Sequence, residues 1–142
     1  LCYGLKKSGV LFSADHVMGW ATSLVSPPDG DLTQFMDSLQ KLLKFDDYNL
    51  YYPGHGDKID NPKEIINYII KHRKMREKQI LKSIAEFSLN STQIAEKIYI
   101  DVNKSLIPAA ARNVFAHLID LKQRQLVTNS HELNFESIFS SI

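Results

Sequence analysis

Two places in the 142-residue sequence combine residue types that can carry chemistry. Asp15, followed by His16, stands at the end of an apolar, β-prone run. A carboxylate aimed from a rigid strand end into a flexible rim is a common way to build a site. The competing reading is that an isolated Asp there caps the following turn. The second place is Pro53-Gly54-His55-Gly56, directly after another short β-prone run. Glycines on both sides let the backbone approach an ion or ligand closely. Neutral histidine is the commonest metal ligand and a frequent general base. Here the competing reading is a tight turn with an exposed, idle imidazole. A third feature, Lys71-His72-Arg73-Lys74-Met75-Arg76, could meet phosphates. Such a run more often forms a solvated helix face.

What is missing narrows the chemistry further. The five histidines are His16, His55, His72, His117 and His131, and no two are spaced as H-x-H or H-E-x-x-H. A catalytic zinc needs about three protein ligands and an open position. Asp15 and His55 supply two carriers at most. The sequence has no Gly-rich phosphate loop and no G-x-S-x-G elbow. The single cysteine, Cys2, excludes an internal disulfide and a Cys-rich zinc site. Its apolar neighbours suggest a buried structural thiol rather than a nucleophile.

The elements that must position these residues can be read from spacing. Residues 1–6 and 10–13 are short apolar runs joined by Lys7-Ser8-Gly9, which reads as a β-hairpin. A loop over 19–31 has Pro27-Pro28-Asp29-Gly30 as its hard turn. Leu32, Phe35, Met36, Leu39, Leu42 and Leu43 recur at helical spacing. Residues 49–52 read as a strand leading into the Gly-His-Gly turn. Asn61-Pro62-Lys63-Glu64 is a strong helix start. That helix carries Ile65, Ile66, Ile69 and Ile70, and can extend to Ile80, Leu81 and Ile84, with a kink or domain junction expected near 73–76. Then come a short helix from Ser91, a longer one over 108–124, and a small hairpin whose strands are expected at 126–127 and 133–135. Helix, short helix, long helix, hairpin is the order of a winged helix. The domain boundary is accordingly expected near residue 74, with a first domain over 1–74 and a winged-helix-like domain over 75–142.

Charge divides the chain in a similar way. Residues 1–57 carry 4 basic and 7 acidic groups, 58–87 carry 8 and 4, and 88–142 carry 5 of each. The total of +1 excludes a strongly basic nucleic-acid coat. No apolar run approaches the roughly 20 residues of a membrane span, and no signal peptide is recognisable, so a soluble cytoplasmic protein is expected. The chain opens on Leu1 rather than Met, already inside a β-prone run, which leads to the expectation of a piece of something longer.

Three motifs together resemble a known family. Leu11-Phe12-Ser13-Ala14-Asp15-His16-Val17-Met18-Gly19, the Ser26-Pro27-Pro28-Asp29-Gly30-Asp31 loop and Tyr52-Pro53-Gly54-His55-Gly56 resemble the C-terminal half of metallo-β-lactamase-fold hydrolases. The nearest branch is the one related to hydroxyacylglutathione hydrolases and β-lactamase-like endoribonucleases, which often adds a winged helix. The resemblance implies an α/β (α+β) chain: the C-terminal part of an αββα sandwich, then a small winged-helix-like domain. It implies a hydrolase with two zinc-type ions, in which Asp15 matches the bridging aspartate and His55 a ligand of the second metal. Both would then be catalytic as well as metal-binding residues. Trp20, Thr22 and Ser23 would line the substrate cleft. A small-molecule ester or thioester, a phosphodiester in RNA or a lactam-like ring would suit that chemistry, and the basic run at 71–76 favours an anionic one.

The sequence departs from the family pattern in one respect. The early H-x-H-x-D-H motif has no counterpart here, so the isolated chain is expected to bind metal poorly and hydrolyse little. Three origins are open: a truncated sequence, a split or decayed gene, or an upstream fragment that completes the fold; one sheet face is expected to lie uncovered. Two other readings compete: a winged-helix interaction or dimerisation module, and a decayed remnant with unpartnered strands. Against nucleic-acid binding by the winged helix, its long helix carries only Arg112, Lys122 and Arg124 as cations, against Asp120.

Overall fold

The computed structural model describes residues 1–142. The chain forms two compact units, one of Leu1–Ser23 with Gln34–Arg73 and the other of Leu24–Thr33 with Lys74–Ile142. No helix is long and apolar enough to cross a membrane.

The first unit is built on a three-stranded sheet. Strand β1 (Tyr3–Leu5) turns through a 3-10 segment at Lys6–Ser8 into β2 (Val10–Ala14). After the loop, helix α1 (Leu32–Leu43) leads to β3 (Leu50–Pro53). The sheet order is β1-β2-β3. β1 runs antiparallel to β2 with Tyr3 opposite Phe12, and β3 parallel to β2 with Leu11 opposite Tyr51. The parallel pairing requires a crossover, which α1 supplies. Alternation then sets two faces. Leu11 and Tyr51 point into a core shared with Val17, Leu39, Leu42, Ile66 and Ile69. Tyr3, Phe12 and Tyr52 lie in register on the other face and are exposed, with the Phe12 and Tyr52 rings stacked at 5.7 Å. One face of the sheet is thus uncovered, as a half sandwich leads one to expect. The strands themselves are not unpartnered, because β1 and β3 both pair with β2.

Helix α2 spans Pro62–Glu86 as one 25-residue element. Its apolar residues recur at 66, 69, 70, 80 and 84, and all five are buried. The helix is unbroken at 73–76, where its length led to the expectation of a kink or domain junction, and the chain passes from one unit to the other there, between Arg73 and Lys74.

The second unit is a winged helix. Asn90 caps α3 (Ser91–Ile98) with a reciprocal capping box, in which Gln93 N–H donates to Asn90 Oδ1 at 2.9 Å and Asn90 N–H to Gln93 Oε1 at 2.9 Å. Helix α4 (Ile107–Gln123) carries proline in its first turn, where no N–H is missed. It buries Ala111, Val114, Leu118 and Leu121 against Ile80, Ile84 and Ile94. Strand β4 (Val127–Asn129) pairs antiparallel with β5 (Phe139–Ser141). The expectation of a second wing strand at 133–135 is corrected here. Phe139 is the ring that fills the core and bridges Leu89, whereas Phe135 packs edge-on against Phe115 from the loop, at 5.6 Å. Thr128 and Asn129, expected to turn, are strand.

The Pro-Pro loop belongs to this unit. Val25 N–H donates to Asn113 Oδ1 at 3.0 Å, and the Thr33 hydroxyl to Asp120 Oδ1 at 2.6 Å.

Candidate functional site

The site is built where β2 and β3 end side by side. Ala14 takes a left-handed φ of 48°, which is uncommon for a residue with a Cβ, and the ladder shifts register between Phe12 and Ala14. Gly54 N–H donates to the Ala14 carbonyl at 2.9 Å and clips the two strand ends together. The next residue, Asp15, is thereby swung toward the turn that follows β3. Asp15 Oδ1 lies 3.6 Å from His55 Nε2, and both side chains remain about two-thirds exposed.

The glycines of the turn are needed for this geometry. A Cβ on Gly54 would stand 2.6 Å from Asp15 Oδ1. Gly56 has φ +86°, and a Cβ there would stand 2.6 Å from the Trp20 ring. Trp20 donates its indole N–H to the His55 carbonyl at 3.3 Å and is otherwise exposed. It walls a concavity of about 380 Å³ together with Asp57, Lys58, Asp60, Asn61 and Glu64, in which Lys58 is paired to Asp60 at 2.8 Å.

Asp15 and His55, which the resemblance matches to metal ligands, are thus brought side by side. A carboxylate oxygen and an imidazole nitrogen are suitable donors for zinc. No group of three or more His, Cys, Asp or Glu side chains that could hold a metal is present, so the two would be at most part of a ligand set. His16 is not part of the pair. Its ring turns inward, edge-on to Phe35 at 4.8 Å, and its Nε2 is buried without a hydrogen bond. Burial, and then the charge of the N-terminus, lower its pKa and disfavour the charged ring. Cys2 is half-buried with its Sγ 3.8 Å from the Ser13 carbonyl, and burial pushes the thiol pKa up, as suits a structural thiol.

Two expectations are corrected. Ser23 does not line an open cleft. It is 8% exposed, and its hydroxyl donates inward to the Asp15 carbonyl. The stretch 71–76 is not uniformly a solvated face or a phosphate-binding run. Lys71 and Lys74 are exposed, but Arg73 is 3% exposed and donates to the Ser23 carbonyl. Arg76 lies 4.1 Å over the Tyr99 ring and donates to the Ile98 carbonyl at 3.1 Å. The inward arginine was detectable by spacing, because 66, 69, 70 and 73 fall on one helical stripe.

Comparison with known proteins finds relatives of both units. Residues 91–133 match the beta-lactamase associated winged helix domain. The chain is similar to a beta-lactamase-like protein 2 homolog of Drosophila melanogaster, 36% identical over 118 residues, covering 81% of this chain and 39% of the relative. A homolog of the same description in Caenorhabditis elegans is 33% identical over 138 residues, covering 96% and 45%. The chain thus spans less than half the length of these relatives. The crystal structure of a beta-lactamase domain protein from Burkholderia ambifaria superposes with a TM-score of 0.87 over 99% of this chain and 44% of that one, at 19% identity.

Proposed function

Because this chain belongs to the metallo-β-lactamase superfamily as a C-terminal portion with its associated winged helix, we propose that it contributes two ligands and one cleft wall to a metal-dependent, probe-testable hydrolase centre. The observation that carries the reading is the 3.6 Å approach of Asp15 and His55 across a turn that leaves no room for a side chain at position 54. Asp15 offers two oxygens and a negative charge that offsets cationic charge. His55 offers a neutral nitrogen from an adjacent strand end. Trp20 presents a flat apolar surface beside them. Bound zinc-type ions supply a water of near-neutral pKa and a clamp for the oxygens of a displacement. The remaining ligands are assigned to sequence matching the part of the relatives that this chain does not span.

The test uses the protein expressed together with the coding sequence upstream of Leu1. It is expected to carry about two zinc-type ions per chain. It is also expected to hydrolyse at least one of three probes: a thioester, a phosphodiester or a lactam. Asp15→Asn is expected to lower both metal content and turnover. A metal-free product with equal turnover in the variant would refute the proposal.

The winged helix is read as a packing or association element. Of the three cations on or just after α4, Arg124 is held by Glu77 and by Asp120 at 2.7 Å, and Arg112 lies 4.6 Å over the Phe135 ring. Few are left to neutralise phosphates. Tight, salt-dependent DNA binding by the chain would overturn this part.

A further inference from the structure

We propose that Arg73 is a positioning residue for the Asp15 turn, although it touches neither Asp15 nor His55. The proposal rests on the reading of Asp15 as a metal ligand. Its observations all lie within the first unit.

Arg73 occupies the buried stripe of α2, one turn after Ile69 and two after Ile66. An apolar side chain would satisfy packing there. Burying a guanidinium costs desolvation even when it is paired, so the charge is poorly explained as a device for stability alone. What it does is specific. Its Nη2 donates to the Ser23 carbonyl. The Ser23 hydroxyl in turn donates to the Asp15 carbonyl and lies 3.3 Å from that of His16. The guanidinium also lies 5.4 Å over the Phe35 ring, the same ring that His16 meets edge-on. The start of the 15–23 loop and its end are therefore tied to one spot.

That spot matters because the backbone just before Asp15 is unfavourable. Ala14 sits at φ 48° and persists there only if its surroundings over-determine it. The Gly54 amide holds one side of the turn. His16 N–H to the Ser13 carbonyl at 3.0 Å and the Ser13 hydroxyl to the Val17 carbonyl at 2.8 Å close it locally. The Arg73–Ser23–Asp15 relay is a second long-range restraint, spanning 50 residues of sequence between Arg73 and Ser23.

The test compares Arg73→Met, Arg73→Lys and Ser23→Ala in the 142-residue protein. Amide hydrogen exchange is read at residues 14–23, and zinc binding by NMR at the His55 ring of each protein joined to the coding sequence upstream of Leu1. In Arg73→Met the loop amides are expected to exchange at least tenfold faster while core amides of α2 are unchanged. Zinc binding is expected to weaken by a similar factor. Ser23→Ala, which removes one hydroxyl from a folded protein, is expected to reproduce both effects even if Arg73→Met fails to fold. Arg73→Lys is expected to restore most of the protection. Unchanged exchange at 14–23 in Ser23→Ala overturns the proposal, whatever zinc does. Faster exchange in a protein whose wild type ignores zinc upholds the restraint and refutes the metal reading instead.

Discussion

Replacing Gly54 by alanine separates the geometry of the site from the stability of the fold. The new Cβ would stand 2.6 Å from Asp15 Oδ1, and 3.4 and 3.6 Å from the carbonyl carbon and Cα of Ala14. The last two are ordinary contacts. The first is not, and the atom that must yield is the far end of a side chain that is about two-thirds exposed. The carboxylate therefore swings away rather than the backbone. An off-rotamer side chain costs about 0.5–1.5 kcal/mol. Loss of glycine freedom in the unfolded chain offsets about 0.4–1 kcal/mol of that, since Gly54 does not need a positive φ. Net stability should change by less than about 1 kcal/mol. Zinc affinity, which needs Asp15 beside His55, should fall at least about tenfold, or about 1.4 kcal/mol. Urea unfolding followed by circular dichroism measures the first quantity, and zinc titration of the protein joined to the coding sequence upstream of Leu1 the second. Unchanged zinc affinity would show that the pair is not the binding unit. A stability loss beyond about 3 kcal/mol would show that the backbone at Ala14, not the Asp15 side chain, takes the strain.

Three further outcomes follow from the packing. Leu118→Ala empties a fully buried position in the winged-helix core and should destabilise by about 3–5 kcal/mol in urea unfolding. Asn90→Ala removes the capping box of α3 and should cost about 1 kcal/mol by the same assay. Tyr51 is held neutral in the first core, chiefly by burial and then by neighbouring Cys2 and Tyr48, with its pKa pushed up from 10.0 to about 12. The folded state keeps this proton longer than the unfolded one, so the contribution is intact below pH 10 and lost as pH rises toward 12. That loss amounts to at most about 3 kcal/mol. Tyr51→Phe should flatten the stability difference across that window, and equal pH dependence in both proteins would refute the assignment.

Much of this arrangement was legible in the sequence where local rules agree. The apolar spacing from Leu32 to Leu43 matches α1 at both ends, because a helix declares its buried face every three to four residues. Asn61-Pro62 marks the start of α2 for a similarly local reason. The Asp15 and His55 motifs were legible as types, and only the family resemblance joined them as a pair. Their 3.6 Å approach depends on β2 and β3 running parallel, which no local pattern specifies. The second wing strand was misplaced because Leu133 and Phe135 look more strand-like than Phe139. What decides is Phe139's pairing with Leu89, 50 residues away. Arg73 was read as a charge and not as a position. Its residue type pointed outward, while its spacing from Ile66 and Ile69 pointed inward, and the partner that allows burial is a backbone carbonyl invisible to composition.

The central claim is that Asp15 and His55 share one metal ion. The most direct measurement is a zinc titration of the isotope-labelled chain, expressed together with the coding sequence upstream of Leu1, that follows the Asp15 carboxyl and the His55 ring together. The account predicts that both signals move with the same midpoint and that Asp15→Asn removes the His55 response. A His55 response that is identical in Asp15→Asn, or no response at either residue in the wild type, would contradict it.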